Sequence, residues 1–406
     1  MTASLPGFSL HNYNPEKDAA AIQRLELDCA QPLSSDFPFY IIKYARLYLS
    51  PYHYRVNLFP SSLTLVAKVD DSKVIGVVSG AVKAVYYDNR PITAGYIFDL
   101  RVHDEYRRKG VGLALAQEME KRLLAKGAAL LYAAVYVGNR PAEALFRGEL
   151  GYKIATRKAI HIEDASSKPS KALISVPPQE AETHLSSFYA DKDLTPVSFH
   201  DLFTSPEYLG TYCVLDAAGN RAEASLWHTT KHTARAVVQA WYPVEYLQRS
   251  RFYMVFLVLS LLSLIVGVWG ALAVYDWIGP QILKLLWGAV MLLVGLLLGE
   301  FLWVFLKHWR LAVTHPKGEQ KISLFGLHYT GTAESKEAQY DDLIEGLKGV
   351  CSSSADMVSW TVDSSDPDRH CFASEIHELL YLHKKPDTDY WNAWTRNLFT
   401  DPRDLV

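Results

Sequence analysis

Hydrophobic and polar positions along the chain change period many times. Phe8–Asn12 alternates as a strand, Pro15–Ala30 spaces its apolar residues as a helix, and Phe37–Leu49 reads as a second helix. Ser62–Val69 and Val74–Tyr86 are alternating, β-rich runs joined by Asp70-Asp71-Ser72-Lys73, a hairpin signal. Ala94–Val102 is a further strand, and the run from Gly110 to Gly127 is an amphipathic helix. Ala129–Val135 is an apolar strand, Pro141–Leu150 a helix with proline in its first turn, and Tyr152–Ile162 a strand. The polar stretch Asp164–Lys171 reads as a linker. Beyond it the order repeats: a helix over Glu180–Leu194, strands at Tyr212–Leu215, Ala222–His228, Arg235–Ala240 and Lys321–Tyr329, a helix near Glu337–Leu347, and strands at Met357–Val362 and Leu379–His383. This alternation predicts an α/β (α+β) fold with two mixed-sheet domains, residues 1–163 and residues 172–250 with 311–406.

Between the two pieces of the second domain the pattern loses its polar face. Phe252–Tyr275 holds no charged residue, and as a helix it would be about 36 Å long, against a bilayer hydrocarbon core of about 30 Å. After the break Asp276–Gln281, with Gly279-Pro280 as the turn, a second apolar run covers Ile282–Leu306 and carries only Lys284 and Glu300. The pair predicts a transmembrane helical hairpin over 251–310, with spans at about 252–275 and 282–306. Trp277, Trp287, Trp303 and Trp309 stand near the inferred ends. Gly295 and Gly299 have the small-xxx-small spacing of close helix packing. Arg249, Arg251, Lys307, His308 and Arg310 flank the hairpin, and the connecting loop has only Asp276. The positive flanks predict an integral membrane protein with both soluble parts in the cytosol.

The average composition hides this hairpin. In 406 residues, 41 Lys+Arg against 44 Asp+Glu leave a net charge of −3, a balance that argues against a nucleic-acid binder. Hydrophobic residues at 49% place the chain far from disorder. Cys29, Cys213, Cys351 and Cys371 are scattered, with neither disulfide-framework nor zinc spacing, so free thiols and no metal are expected. The first residues show neither a signal peptide nor an Arg-rich presequence.

Candidate chemistry concentrates where the strand Ala94–Val102 leads through Arg107-Arg108-Lys109-Gly110-Val111-Gly112 into a helix. Gly110 and Gly112 let backbone N–H groups approach an anion, and the helix N-terminus adds partial positive charge. Three consecutive cations stand at the mouth. This arrangement suits a pyrophosphate. It is neither a P-loop nor a dinucleotide fingerprint, because no GKS/T and no G-x-G-x-x-G occurs there.

The spacing Val102-x-x-x-x-Arg107-x-x-Gly110-x-Gly112 resembles motif A of the GNAT acetyltransferase superfamily. That superfamily's second signature follows as Asn139-x-x-Ala142-x-x-Leu145-Phe146 with Gly151-Tyr152. Within it, Leu145-Phe146-x-Gly148-x-x-Gly151-Tyr152, Phe325-Gly326-Leu327-His328-Tyr329 and Asp401-Pro402-Arg403 resemble the plant Hookless family. The resemblance spans most of the chain except the apolar hairpin. Because the second half repeats the element order of the first, it reads as a second GNAT-like domain, degenerate because Thr330-Gly331-Thr332-Ala333 lacks the basic glycine loop.

The resemblance implies acetyl transfer from acetyl-CoA to an amine, on a protein or a small molecule. Backbone N–H groups near Leu100 and Val102 would meet the pantetheine arm and acetyl carbonyl. Arg107, Arg108, Lys109, Gly110, Val111 and Gly112 would hold the pyrophosphate, with Asn139 and Phe146 also in the cofactor site. The reaction needs a neutral amine, an oxyanion donor and a proton for the thiolate. Alternation places Asp99, Arg101 and His103 on one strand face and Phe98, Leu100 and Val102 on the other. Asp99 is then the best-placed base, its structural alternatives being a partner for Arg101 or a solvated charge; His103 suits a loop hydrogen bond. Many superfamily members carry a proton-donating Tyr where this chain has Phe146, so Tyr152, Tyr136 or solvent would replace it. The expected function is a membrane-anchored N-acetyltransferase with acetyl-CoA, an amine acceptor and a lipid bilayer as partners. The rival is a catalytically weak or inactive GNAT-fold subunit of a membrane complex.

Overall fold

The computed structural model of the chain describes residues 4–5, 7–29, 31–32, 43–70, 72–165, 172–239, 320–330, 333–363, 375–384 and 399–405. The first half runs β1 (Ser4–Leu5), β2 (Phe8–Asn12), α1 (Pro15–Asp28), β3 (Gln31–Pro32), β4 (Lys43–Tyr48), α2 (Tyr52–Val56), β5 (Ser62–Val69), β6 (Lys73–Tyr87), β7 (Arg90–Val102), α3 (Val111–Ala125), β8 (Leu130–Tyr136), α4 (Arg140–Glu143) and β9 (Lys153–Asp164). The second half runs β10 (Ile174–Val176), α5 (Pro178–Phe188), β11 (Thr195–Pro196), α6 (His200–Phe203), β12 (Tyr208–Leu215), β13 (Arg221–Trp227), β14 (Thr233–Gln239), β15 (Lys321–Tyr329), α7 (Ala333–Cys351), β16 (Met357–Asp363) and β17 (Glu375–Lys384), ending in a 3-10 turn at Pro402–Leu405. Local chemistry sets several of these boundaries. Asn14 caps α1 by accepting the amides of Glu16 and Lys17, with Pro15 at the first helical position. Asp70 turns the β5–β6 hairpin at positive φ.

One sheet carries both halves, in the order β1-β2-β5-β6-β7-β8-β17-β9-β16-β15-β13-β12-β10, with β11 on β6. The C-terminal strand β17 lies between β8 and β9, and β9 lies between β17 and β16. Each half therefore lends one strand to the other. The exchange is extensive: β17 pairs antiparallel with β8 from Leu379↔Tyr136 to Lys384↔Leu131, and with β9 from Glu375↔Ile162 to His383↔Lys153.

The halves repeat one another down to side chains. β7 runs parallel to β8 over Ala94–Ile97, and β15 runs parallel to β16 over Lys321–Ser323. Both β7 and β15 then carry a bulge after a phenylalanine. In the first half Ser79 faces Phe98 and Val77 faces Arg101; in the second Ser225 faces Phe325 and Glu223 faces His328. The left-handed residue is Asp99 in one bulge and Gly326 in the other. Even the buried hydroxyl pairs match, Thr64 with Ser79 at 2.8 Å and Thr211 with Ser225 at 2.7 Å.

Both halves of this sheet belong to one compact unit, 1–29, 46–235 and 319–406. In the second unit, 30–45 and 236–318, the described residues include β3 paired antiparallel with Lys43 and Tyr44. The predicted hairpin at 252–275 and 282–306 lies outside the described residues, as does 166–171 of the predicted linker. Among the described residues no helix is long and apolar enough to cross a membrane.

In the first half α3 buries Leu115, Met119 and Leu123 on one sheet face, against Ile97, Leu131 and Ala133. α1 and α2 bury Ile22, Leu25, Tyr52 and Val56 on the other, against Tyr96, Phe98 and Tyr132. Each such side chain contributes about 1.5–3 kcal/mol by leaving water.

Three sequence expectations are corrected. The helix expected over Phe37–Leu49 is, within its described part, the strand β4; its period is two, since Arg46 and Tyr48 both turn toward Asp99 and Glu26. The helix expected to reach Leu194 stops at Phe188, where Thr195-Pro196 instead pairs with Tyr86 and Val85 of β6. The bulge at Asp99 breaks the alternation assumed for β7. Phe98, Asp99 and Arg101 consequently share the α1 face, while Ile97, Leu100 and Val102 pack toward α3.

Candidate active site

The site grows from the way β7 and β8 part. Their pairing ends at Ile97↔Ala133, yet β7 stays on β6 as far as Val102↔Gly76, and β8 stays on β17 as far as Tyr136. The edges Phe98–Val102 and Ala134–Tyr136 thus diverge, leaving a wedge with β7 backbone on one wall. Leu100 and Val102 lie on this stretch of β7. Two carbonyls here are occupied: Leu100 accepts from Arg101, and Val102 from Arg107 Nε at 3.2 Å and Cys29 Sγ at 3.3 Å.

At the wide end of the wedge stands the N-terminus of α3. Its first intrahelical bond is Ala114 N–H to Gly110 C=O, 2.9 Å, and no side chain caps the helix. The amides of Val111, Gly112 and Leu113 precede that bond and are the orphan donors of the first turn. The loop reaches this position through two left-handed residues, Arg108 at φ 60° and Gly110 at φ 81°. A Cβ on Gly112 would meet only ordinary contacts, Val102 Cγ2 at 3.5 Å and Leu145 Cδ2 at 3.8 Å.

The three cations differ in role. Arg107 is tied back to Val102 C=O and to Asp104 at 2.6 Å, so it braces the loop. Arg108 is exposed, and Lys109 stands 5.2 Å above the Tyr106 ring. His103 accepts the Glu105 amide and caps the 3-10 turn Asp104–Tyr106, a hydrogen-bonding role in the loop.

Asp99 lies in a different chemistry from that expected of a base. Its carboxylate is buried, 2.7 Å from Arg46 and 3.2 Å from Arg55, with Tyr52 Oη at 3.5 Å. Burial pushes its pKa up, but Arg55 and Arg46 outweigh burial and hold it at about 2. A carboxylate so stabilised takes no proton from an ammonium group near neutral pH. It is the centre of an ion cage spanning β4, α2 and β7. Arg101, its other expected partner, turns instead to Glu26 on α1 at 3.3 Å.

The second signature splits into core and rim. Phe146 is buried edge-on against Tyr152, 5.1 Å between ring centroids, in the core cluster that α3 shares. Tyr152 is buried too, and burial together with the nearby Glu120 raises its phenol well above the usual range, so it is a poor proton donor. Asn139 caps α4 by accepting the Ala142 amide at 3.3 Å. The helix expected over Pro141–Leu150 is one α turn followed by a π turn, Ala144–Glu149, whose Leu145 lies beside Gly112. Tyr136 is 48% exposed at the end of β8, on the face of Tyr132 and Ala134, and is the expected acid that the structure leaves at the wedge mouth.

Sequence reasoning missed the partners that hold this geometry. Arg46, Arg55 and Glu26 come from elements remote in sequence from β7. Lys83 is buried between Asp401 at 3.0 Å and Asp404 at 2.8 Å, above the rings of Tyr96 and Tyr132. Arg403 closes on Asp401 at 2.8 Å and reaches Leu58 C=O. In the sequence, Asp401-Pro402-Arg403 carries only a family resemblance. In the structure it ties the C-terminus to the α1 face of the first half.

The second half has a wedge of the same construction beyond Ser323↔Ser359, but its bulge is closed. A Cβ at Gly326 would lie 2.3 Å from Leu185 Cδ2 of α5. Apolar packing occupies the position that the first half gives to a charge. Among the described residues no group of His, Cys, Asp and Glu is arranged to hold a metal.

Residues 22–152 match the sequence profile of the Acetyltransferase (GNAT) family. An acetyl transferase of Oryza sativa subsp. japonica is 26% identical over 193 residues, 44% of this chain and 46% of its own length, so the chain aligns with less than half of that relative. N-myristoyltransferase of Saccharomyces cerevisiae with bound myristoyl-CoA shares the fold at a TM-score of 0.53 and 8% identity, over 98% of this chain and 90% of that one. A second structure of that enzyme with myristoyl-CoA gives 0.52 and 9% identity, over 94% and 80%. The profile match and the structural likeness agree on a mixed α/β GNAT-like fold.

Proposed function

We propose that this chain is a membrane-anchored N-acetyltransferase whose first half binds acetyl-CoA and passes acetyl to an amine on a protein or small molecule. One observation carries the reading: the uncapped amides of Val111, Gly112 and Leu113 open beside the wedge between β7 and β8. The diphosphate would rest on those amides, with Arg108 and Lys109 as the unbraced cations of the loop. The pantetheine arm would follow the Phe98–Val102 edge toward the vertex. There the amine nitrogen bonds to the thioester carbonyl carbon, the carbon–sulfur bond breaks, and the proton lost by nitrogen balances the one gained by sulfur. The thiolate takes its proton from water at the wedge or from Tyr136, the exposed phenol at the wedge mouth. The amine arrives neutral or yields its proton to water, because Asp99 is held by two arginines.

The charge-free run 252–275, the apolar run 282–306 and their basic flanks support a hairpin anchor with both soluble parts in the cytosol. The motifs at 145–152, 325–329 and 401–403 support kinship with the plant Hookless family.

Thiol release from acetyl-CoA over a panel of amines and peptides, beside calorimetry with CoA, tests the reading. A second reading, an acyl-CoA-binding subunit without turnover, is favoured by the burial of Phe146 and Tyr152 and by the caged Asp99. Tight CoA binding with no thiol release selects it. No CoA binding overturns both.

A further inference from the structure

We infer that the vertex of the β7–β8 wedge is an acyl-length gauge, set by Phe98, that admits acetyl and gives longer chains no place to bury. The inference rests on the acyl-CoA reading of the wedge and adds the donor's chain length to it. From Val102 to Phe98 the open β7 edge measures about 13 Å at ~3.3 Å per residue, and it ends where Ile97 pairs with Ala133. Whatever the thioester carries beyond its carbonyl must enter the space at that vertex.

Both faces of the vertex are closed. On the α1 face the Phe98 ring, 6% exposed, lies 5.0 Å from Tyr96 and 5.1 Å from Phe59, and Tyr96 stacks on Tyr132 at 4.8 Å. The Arg55 guanidinium covers the Phe98 ring at 5.2 Å and is itself gripped by Asp99 at 3.2 Å. Phe98 therefore cannot swing aside without dismantling the ion cage. On the α3 face packing is tighter still. A methyl added at Gly80 would lie 2.5 Å from Met119 Sδ, and one at Gly95 would lie 2.7 Å from Leu131 Cδ2. Ile97 and Leu115 are also fully packed on this face, which offers an alkyl chain no open channel beside the vertex. Beside Phe98, Ala134 is the first β8 residue past the pairing, and the acetyl methyl would lie against its small side chain.

Calorimetry on the full chain with free CoA, acetyl-CoA, butyryl-CoA and octanoyl-CoA tests the gauge. Every methylene buried in a channel would tighten binding about fourfold. Octanoyl-CoA is expected to bind within about threefold of acetyl-CoA, its chain left in solvent. Phe98→Ala should open the vertex, so that butyryl-CoA binds at least about fivefold tighter than acetyl-CoA, a preference the native chain lacks. Phe98→Leu is the milder variant, with a thermal melt to confirm folding, and should shift the ratio in the same direction. Octanoyl-CoA binding more than about tenfold tighter than acetyl-CoA in the native chain would overturn the gauge. So would a folded, CoA-binding Phe98→Leu or Phe98→Ala chain with an unchanged ratio. Failure of free CoA to bind would remove the site reading and the gauge with it, and is thereby distinguished from failure of the gauge alone.

Discussion

Replacing Gly112 with alanine separates folding from ligand binding because the two should move in opposite directions. Gly112 is the second residue of α3, and its φ is not among the positive ones. An alanine methyl there meets Val102 at 3.5 Å and Leu145 at 3.8 Å, both ordinary contacts. The variant gains helix propensity, about 0.5 kcal/mol near a helix end, which corresponds to a rise in melting temperature of about 1 °C in a unit of this size. The same methyl stands where a diphosphate must approach the amides of residues 111–113. Losing one or two charge-assisted hydrogen bonds, each about 1.5–3 kcal/mol, weakens acetyl-CoA about 10- to 100-fold or more. Gly110→Ala is the control with the reverse folding sign: at φ 81° an L-residue is strained by about 1 kcal/mol or more, so that chain melts lower. The measurements are a thermal melt and calorimetry with acetyl-CoA. A Gly112→Ala chain that is as stable as the native one and binds acetyl-CoA with unchanged affinity would refute the placement of the diphosphate on this turn.

Asp99→Asn leaves Arg46 and Arg55 without their buried counter-ion and should cost about 3 kcal/mol in a denaturant titration. Because the native carboxylate sits at about 2, below its ordinary value, its contribution is present above pH 4 and fades as pH falls from about 4 to 2; the asparagine chain should show a flatter profile in that window, and equal slopes would contradict the cage. A chain ending at residue 164 keeps β9 but loses both its neighbours, β17 and β16, and is expected neither to melt cooperatively nor to bind acetyl-CoA; a cooperative melt with native affinity would show the exchange to be dispensable. Deleting 252–309 should release the protein from membranes, and persistent pelleting after an alkaline wash would count against the hairpin anchor.

The parts legible from sequence are those whose chemistry is local. Arg107–Gly112 leads into a helix, and the structure has an uncapped helix N-terminus there, because glycines and helix periodicity act over a few residues. The face of Phe98 was not legible, since alternation holds only while no extra residue is inserted and the bulge at Asp99 inserts one. The role of Asp99 was hidden for another reason. Its arginines come from β4 and α2, about 50 residues upstream, and nothing in a strand's pattern announces a distant counter-ion. The exchange of β9 and β17 was equally invisible, because a strand's own residues report its faces and leave its neighbours unnamed.

The repeat shows why the two halves build different vertices. Both halves build a bulge after phenylalanine and need a left-handed residue in it. The second half uses Gly326, which adopts that conformation without strain, and packs Leu185 where a side chain would otherwise stand. The first half keeps Asp99 in the same conformation, at a cost of about 1 kcal/mol. That strain and the burial of a charge are offset by Arg46 and Arg55. Since Arg55 also covers Phe98, the ion cage and the hydrophobic wall of the wedge are one construction. Neutralising Asp99 should therefore loosen the vertex as well as the fold, a link that the glycine version in the second half cannot provide.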